Sequence, residues 1–94
     1  MRELIWRESA LEDLDSIITY IGRRDFAAAQ RLQSLLQAFA ERLTKHPFMY
    51  RSGRLPGTRE ALAHRNYLLV YRVTDEQIEI VNVMHSRRQY PPAE

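Results

Sequence analysis

The chain has 94 residues, of which 45% are hydrophobic and 28% charged, and this composition predicts one soluble domain over residues 1–94. It contains no cysteine, which excludes disulfides, thiolate metal sites and thiol catalysis. The longest apolar run, Tyr67–Tyr71, is far shorter than the roughly 20 residues that cross a bilayer. The first residues do not resemble a signal peptide, so we expect a cytoplasmic protein with no membrane partner.

Positive charge is concentrated in the middle of the chain. Residues 42–72 carry seven cationic side chains and a single acidic one, Glu60, whereas the whole chain has a net charge of only +2. Six of the seven cations are arginines, whose planar fork suits phosphates and carboxylates. The block therefore indicates an anionic partner, either a nucleic acid or an acidic protein segment, although a solvated loop would have the same composition. The candidate partner-binding residues are Arg51, Arg54, Arg65 and Arg72.

Hydrophobic periodicity predicts the secondary structure in chain order. The predicted elements are a strand at 2–7, a helix from Ser9 or Glu8 to Gly22, a helix from Asp25 to His46, and strands at 59–65, 67–73 and 77–84. The order β-α-α-β-β-β predicts an α+β fold, in which a helical hairpin packs on one face of an antiparallel sheet. The other face of the sheet then has no covering element, which makes it the expected place for a partner.

Each predicted helix has an apolar stripe with a period of 3.6 residues, and these stripes are the expected core. The first stripe consists of Ala10, Leu11, Leu14, Ile17, Ile18 and Ile21. The second stripe consists of Phe26, Ala29, Leu32, Leu35, Leu36, Phe39 and Leu43. Residues 47–58 contain two prolines and two glycines, which predicts a loop between the second helix and the last three strands.

Few residues suggest chemistry. The three histidines lack the spacing of metal ligands and no nucleotide-binding motif is present, so we expect no metal and no cofactor. His85 has the same strand parity as Val83, so it either packs in the core or lines a site on the open face. An imidazole close to arginines and a tyrosine is typical of metal-free acid–base chemistry on RNA, so both interpretations stay open.

Short stretches along nearly the whole chain together resemble one family of bacterial proteins. They are Ile5-Trp6, Ala10-Leu11-Glu12-Asp13-Leu14, Tyr20-Ile21, Ala27-Ala28-Ala29, His46-Pro47, Arg51-Ser52-Gly53-Arg54, Gly57-Thr58-Arg59-Glu60, Tyr67–Val73 and Val83–Arg88. In this order and spacing they resemble the RelE/ParE superfamily, the toxins of type II toxin–antitoxin modules. The resemblance implies the fold predicted above, inhibition of bacterial growth, and a small antitoxin that wraps the toxin and neutralises it.

Members of this superfamily act in one of two ways. RelE-like members cut mRNA in the ribosomal A site, whereas ParE-like members poison DNA gyrase and are not known to be catalytic. The endonucleases typically have an arginine where this chain has Leu68, and a second basic residue where this chain has Ala61, two residues after Arg59. Because cations that could stabilise a phosphorane are few, the resemblance favours a ParE-like toxin that binds gyrase over an enzyme.

Two alternatives stay open. The first is a metal-free, ribosome-dependent mRNA endonuclease, whose partners would be the ribosome and mRNA. Its candidate catalytic residues are Arg59, His85, Arg87 and Tyr90. The second is a toxin-like protein that has lost its toxicity and only binds its antitoxin.

Overall fold

The computed structural model describes residues 2–87 of the chain. Its elements are β1 (Glu3–Trp6), α1 (Glu8–Gly22), α2 (Phe26–Leu43), β2 (Arg59–His64), β3 (Tyr67–Val73) and β4 (Gln77–His85). The predicted order β-α-α-β-β-β is confirmed, and the bounds differ from the predicted ones by three residues at most. None of the helices within residues 2–87 is long and apolar enough to cross a membrane.

The two helices pack against each other and against one face of the sheet, as predicted. Asp25 caps α2, because its carboxylate oxygen accepts a hydrogen bond of 3.0 Å from the backbone N–H of Ala28. Three residues of the predicted stripes, Leu11, Phe26 and Leu35, are nevertheless exposed. Each apolar stripe is wider than the part of the helix that the sheet and the other helix cover, and these three residues lie at its margins.

The sheet has the strand order β1-β4-β3-β2. β3 is antiparallel to both of its neighbours, β2 and β4, as predicted, but β1 runs parallel to β4. The sheet is therefore mixed, which corrects the prediction of an antiparallel sheet. The short turns that join β2, β3 and β4 require antiparallel pairing, whereas the connection after β1 contains both helices and does not impose a direction.

The main core lies between the helices and the sheet. A register shift opposite Val70 and Tyr71 leaves Val81 without a partner on β3, so that Ile80 and Val83 both face the helices. Most of the core comes from α2 and from the three antiparallel strands. Its buried members are Ala10, Leu14, Leu32, Leu36, Ala40, Leu43, Ala61, Leu69, Tyr71, Ile78, Ile80 and Val83.

The opposite face of the sheet is covered in part, which corrects the expectation that no element covers it. Leu68, Val70 and Met84 are buried there, and Leu55 packs on them. Leu55 belongs to residues 47–58, the predicted loop, which we call the cover loop. Three apolar side chains on this face would otherwise meet water, and burying them under the loop supplies a second, smaller core.

Candidate functional site

The cover loop wraps the outer edge of β2 from one face of the sheet to the other. At its start, the Tyr71 hydroxyl donates a hydrogen bond of 2.8 Å to the Pro47 carbonyl, and Tyr50 packs against the main core. Ser52 then forms an isolated antiparallel bridge with Arg59 at the edge of β2. A tight turn follows, in which the Gly53 N–H donates a hydrogen bond of 2.7 Å to the Thr58 carbonyl.

Glu60 ties this loop to the sheet. Its side chain is only 1% exposed, and its carboxylate lies 3.2 Å from Nη2 of Arg51 and 3.3 Å from Nε of Arg54. The backbone N–H of Arg54 donates a further hydrogen bond of 3.0 Å to it. Burial by itself raises the pKa of Glu60, but the hydrogen bonds and charge of Arg54 and the charge of Arg51 outweigh it and lower the pKa below 4.5. Glu60 is therefore ionised at neutral pH.

A groove of about 540 Å³ lies between the cover loop and the sheet. Met49 and Leu62 are strongly exposed beside it, at 61% and 56%. Arg51 and Arg54 also line it. The remaining lining residues are Tyr50, Glu60, Leu68 and Ser86. The groove thus combines apolar walls with guanidinium groups.

Arg59, a candidate catalytic residue, is occupied by contacts within the protein. Its Nη1 donates a hydrogen bond of 2.6 Å to the Tyr50 carbonyl. Its guanidinium also lies 5.1 Å from the centre of the Phe48 ring, and the guanidinium of Arg2 lies 5.3 Å from the same ring. These contacts position the start of the cover loop beside β2.

His85 lies at the opposite end of the sheet, on the face that carries the helices. Its ring makes an edge contact with Tyr67, with 5.4 Å between ring centres. Its Nδ1 accepts a hydrogen bond of 3.2 Å from the Arg87 backbone N–H, so the neutral ring carries its proton on Nε2. His85 lines a second cavity, of about 430 Å³, together with Tyr20 and Asp13 of α1 and other residues.

Arg59 and His85 do not share a site. Arg59 pairs with Tyr71, and His85 pairs with Tyr67, on opposite sides of β3. Tyr67 and Tyr71 are four residues apart along β3, which separates the two positions by about 13 Å along the sheet. His85 is instead close to Arg87, whose side chain is exposed. Tyr90 lies outside the described residues.

The candidate partner-binding arginines fall into separate places. Arg51 and Arg54 converge on Glu60, as described above. Arg72 lies 3.9 Å from Glu79 across β3 and β4, and Arg65 is exposed in the turn between β2 and β3. Within residues 2–87, no group of three or more potential metal ligands could hold an ion, and the expectation of no cofactor stays a prediction.

Sequence reasoning missed Met49 and Leu62 as parts of a site, because an exposed apolar residue in a loop or strand has no signal of its own. It also missed the role of Glu60. A signal for Glu60 was present, since it is the single acid among the seven cations of residues 42–72. A lone acid in such a block is well placed to become the internal counterion.

Comparison with known proteins identifies the family. Residues 4–90 match the family model described as the ParE toxin of the type II toxin–antitoxin system parDE. A candidate toxin of Sinorhizobium fredii, Y4kP, is 35% identical over 91 residues, which are 96% of this chain and 94% of that protein.

Solved structures share the fold. The chromosomal ParDE system from P. aeruginosa matches with a TM-score of 0.80 and 21% identity over 90% of this chain and 96% of that one. The E. coli DinJ–YafQ complex matches with a TM-score of 0.60 and 13% identity over 90% and 93% of the two chains. The α+β fold with two helices on a four-stranded sheet is therefore that of ParE- and RelE-like toxins. On the evidence of the family model and of Y4kP, the chain belongs to the ParE toxin family of type II toxin–antitoxin systems.

Proposed function

We propose that this chain inhibits bacterial growth by binding DNA gyrase and that an antitoxin neutralises it. The observation that supports a binding toxin over a nuclease is the separation of Arg59 from His85 by about 13 Å along the sheet. A phosphoryl-transfer site needs its proton donor and its stabilising cation around one phosphate. Here the cation already has partners at Tyr50 and Phe48, on the far side of β3 from the imidazole.

The family supports the same branch. The matching family is described by the parDE system, and the solved structure from P. aeruginosa is also a ParDE system. Gyrase as the target follows from the resemblance to ParE-like toxins. Because both the family and the solved complexes pair a toxin with an antitoxin, we propose an antitoxin as the partner of this chain too. The arginines proposed to face it are Arg51, Arg54, Arg65 and Arg72.

The deciding experiment expresses the chain without its antitoxin and follows thymidine and methionine incorporation in the same culture over the first minutes. A gyrase poison stops thymidine incorporation first, while methionine incorporation continues. In parallel, the purified chain should inhibit supercoiling by purified gyrase. Methionine incorporation that collapses first, with supercoiling unaffected, would overturn the proposal.

Cleavage of mRNA is the second candidate, and one observation favours it. The His85 ring lines a cavity with Tyr67, and because its Nδ1 accepts from the Arg87 backbone N–H, Nε2 is the ring nitrogen left to exchange a proton with a substrate. The substitution His85→Gln tests this, because it keeps a polar side chain of similar size but removes the imidazole that would exchange a proton. A nuclease would lose its growth inhibition, whereas a gyrase-binding toxin should retain it. Arg31→Ala, which removes an exposed cation on α2, is the control for expression.

A further inference from the structure

The groove between the cover loop and β2 has the composition of a peptide-binding site. Met49 and Leu62 present apolar surface to solvent on either side of it, and Leu68 lines it as well. Exposed apolar side chains of this size, grouped around a concavity, are typical of interaction surfaces. Elsewhere on this face, the cover loop buries the apolar residues, so the groove is the part of the face that the loop leaves accessible.

The charge that the groove offers to a partner comes from Arg51. Its guanidinium lies 3.2 Å from the carboxylate of Glu60. The Glu60 side chain is buried and cannot meet a partner, whereas the side chain of Arg51 is 72% exposed. Arg51 donates to Glu60 through Nη2, and a guanidinium has five N–H donors in all. Arg51 can therefore bind a second carboxylate without releasing Glu60.

We propose that this groove receives an acidic amphipathic segment of the antitoxin. One apolar side chain of the segment inserts between Met49 and Leu62, and a neighbouring carboxylate pairs with Arg51. This inference rests on the proposed antitoxin and names the surface and the chemistry that bind it. It extends the sequence prediction, in which Arg51 and Arg54 were partner-binding residues on charge alone, by adding the apolar anchor.

The apolar walls favour a protein segment over RNA. A phosphate backbone would use the guanidinium of Arg51, but it would place sugars and phosphates against Met49 and Leu62 and gain little from their burial. An amphipathic peptide uses both features, because its apolar side chain is buried while its carboxylates stay at the rim. The exposed position of Arg51 also predicts that binding weakens as salt increases.

Two substitutions test the groove. Leu62→Glu places a carboxylate on the apolar wall and should weaken antitoxin binding at least tenfold, since Leu62 would contact the buried anchor. Arg51→Met keeps the length of the side chain but removes its charge, and should weaken binding at low salt and reduce its salt dependence. The measurement is the Kd of the antitoxin encoded beside this chain, taken with full-length purified proteins at two salt concentrations.

Matched controls separate binding from folding. Leu35→Glu changes another exposed leucine, on the outer surface of α2, and should leave the Kd unchanged. Arg31→Ala is the corresponding control for the lost cation. The thermal midpoint of each variant verifies its fold, and Leu62→Glu should remain folded because Leu62 is exposed.

Three outcomes would overturn the inference. They are a Kd for Leu62→Glu equal to that of the unchanged chain, an equal loss from Leu35→Glu, or displacement of the antitoxin by a mixed-sequence single-stranded RNA at equal concentration. If the unchanged chain does not bind the antitoxin at all, the proposed neutralisation itself fails. That outcome is distinct from a misplaced groove, for which binding persists in every variant.

Discussion

Glu60 is the residue on which the cover loop depends most directly. Its carboxylate is buried among polar groups of the loop and accepts hydrogen bonds from Arg51 and Arg54. A buried carboxylate without such partners would be costly, so the loop and the ionised side chain require each other. An acid at this position is therefore part of the fold as well as of the groove.

The lowered pKa of Glu60 predicts a specific acid sensitivity. A carboxylate with a folded pKa below its unfolded value of 4.5 contributes stability above pH 4.5, and this contribution is lost as pH falls through the folded pKa. Glu60→Gln should therefore lower the thermal midpoint at pH 7, and the gap to the unchanged chain should narrow progressively below pH 4.5. Thermal unfolding, followed by circular dichroism in a series of buffers between pH 3 and 7, measures this difference in thermal midpoint.

Glu79→Gln is the matched control for Glu60→Gln. Its carboxylate lies 3.9 Å from a half-exposed Arg72, and ion pairs of this kind contribute little. Its effect at pH 7 should be much smaller than that of Glu60→Gln. If the difference in thermal midpoint between Glu60→Gln and the unchanged chain stayed constant from pH 7 to 3, it would contradict the role assigned to the ionised carboxylate.

Tyr71 holds the start of the cover loop through its hydroxyl. Tyr71→Phe removes the donor to the Pro47 carbonyl, which should lower the free energy of unfolding by about 1 kcal/mol. Burial raises the pKa of Tyr71 to about 12 from an ordinary value of 10.0. The folded state thus keeps a proton that the unfolded state releases, so this contribution is intact below pH 10 and is lost as pH rises towards 12.

Urea unfolding at neutral and alkaline pH tests this prediction. The difference in unfolding free energy between the unchanged chain and Tyr71→Phe should shrink as pH rises above 10. Tyr20→Phe, which changes an exposed tyrosine, should show no such trend. A Tyr71→Phe difference that grows with alkaline pH would have the wrong sign and would contradict the assignment.

At the scale of elements, the cover loop depends on Gly53. A Cβ at Gly53 would clash with the Thr58 hydroxyl and would lie 3.2 Å from the Thr58 carbonyl carbon, so the turn would have to open. Gly53→Ala should therefore lower the free energy of unfolding by about 1–3 kcal/mol. It should also weaken antitoxin binding, because the turn places Arg54 beside the groove. Chemical denaturation gives the first quantity and the antitoxin Kd the second.

Gly22→Ala is the control for this substitution. A Cβ there would lie 3.6 Å from Cβ of Ala29, an ordinary contact, and Gly22 is the last residue of α1. Alanine is the better helix former, so stability should stay the same or rise slightly. If Gly53→Ala were tolerated as well as Gly22→Ala, the close packing of the turn would not matter.

Most elements could be predicted from the sequence, because hydrophobic periodicity and the residues that cap or end helices and strands are local signals. The apolar stripes of α1 and α2, the Asp25 cap and the alternation of β3 all act within a few residues. The direction of β1 could not be predicted, since it depends on pairing with β4, more than 70 residues away. Residues 47–58 were predicted as a loop, but the position of this loop over the sheet depends on contacts between distant parts of the chain. Its arginines meet Glu60 of β2, and Leu55 packs on side chains of β3 and β4.

The candidate site was less predictable for the same reason. Arg59 and His85 were grouped by chemistry, but strand register places them at opposite ends of β3. Arg51 and Arg54 both lie beside Glu60, because only two residues separate them along the chain. A sequence pattern fixes which residues are close only where the spacing is short. The roles of all the candidate residues in binding or catalysis stay predictions.

At the scale of the whole molecule, the small size of the core predicts strong stabilisation by the partner. A chain of this size buries about 60–65% of its unfolded surface, so a ligand that binds only the folded state adds appreciably to its stability. At 100 times its Kd, the antitoxin should add about 2.7 kcal/mol. The thermal midpoint should rise with antitoxin concentration, and it should rise less for Leu62→Glu. An unchanged midpoint at saturation would show that the antitoxin does not select the folded state.

The parallel pairing of β1 with β4 has a consequence for biosynthesis. Glu3 and Gln77 are partners, so β1 has to wait for β4, more than 70 residues later in the chain, before it can join the sheet. The helical hairpin can form early, because its contacts are local, but β1 completes the edge of the sheet only after β4 has been made. A chain whose synthesis has not yet reached Gln77 therefore lacks the completed sheet, and the whole fold forms only after β4 has been made.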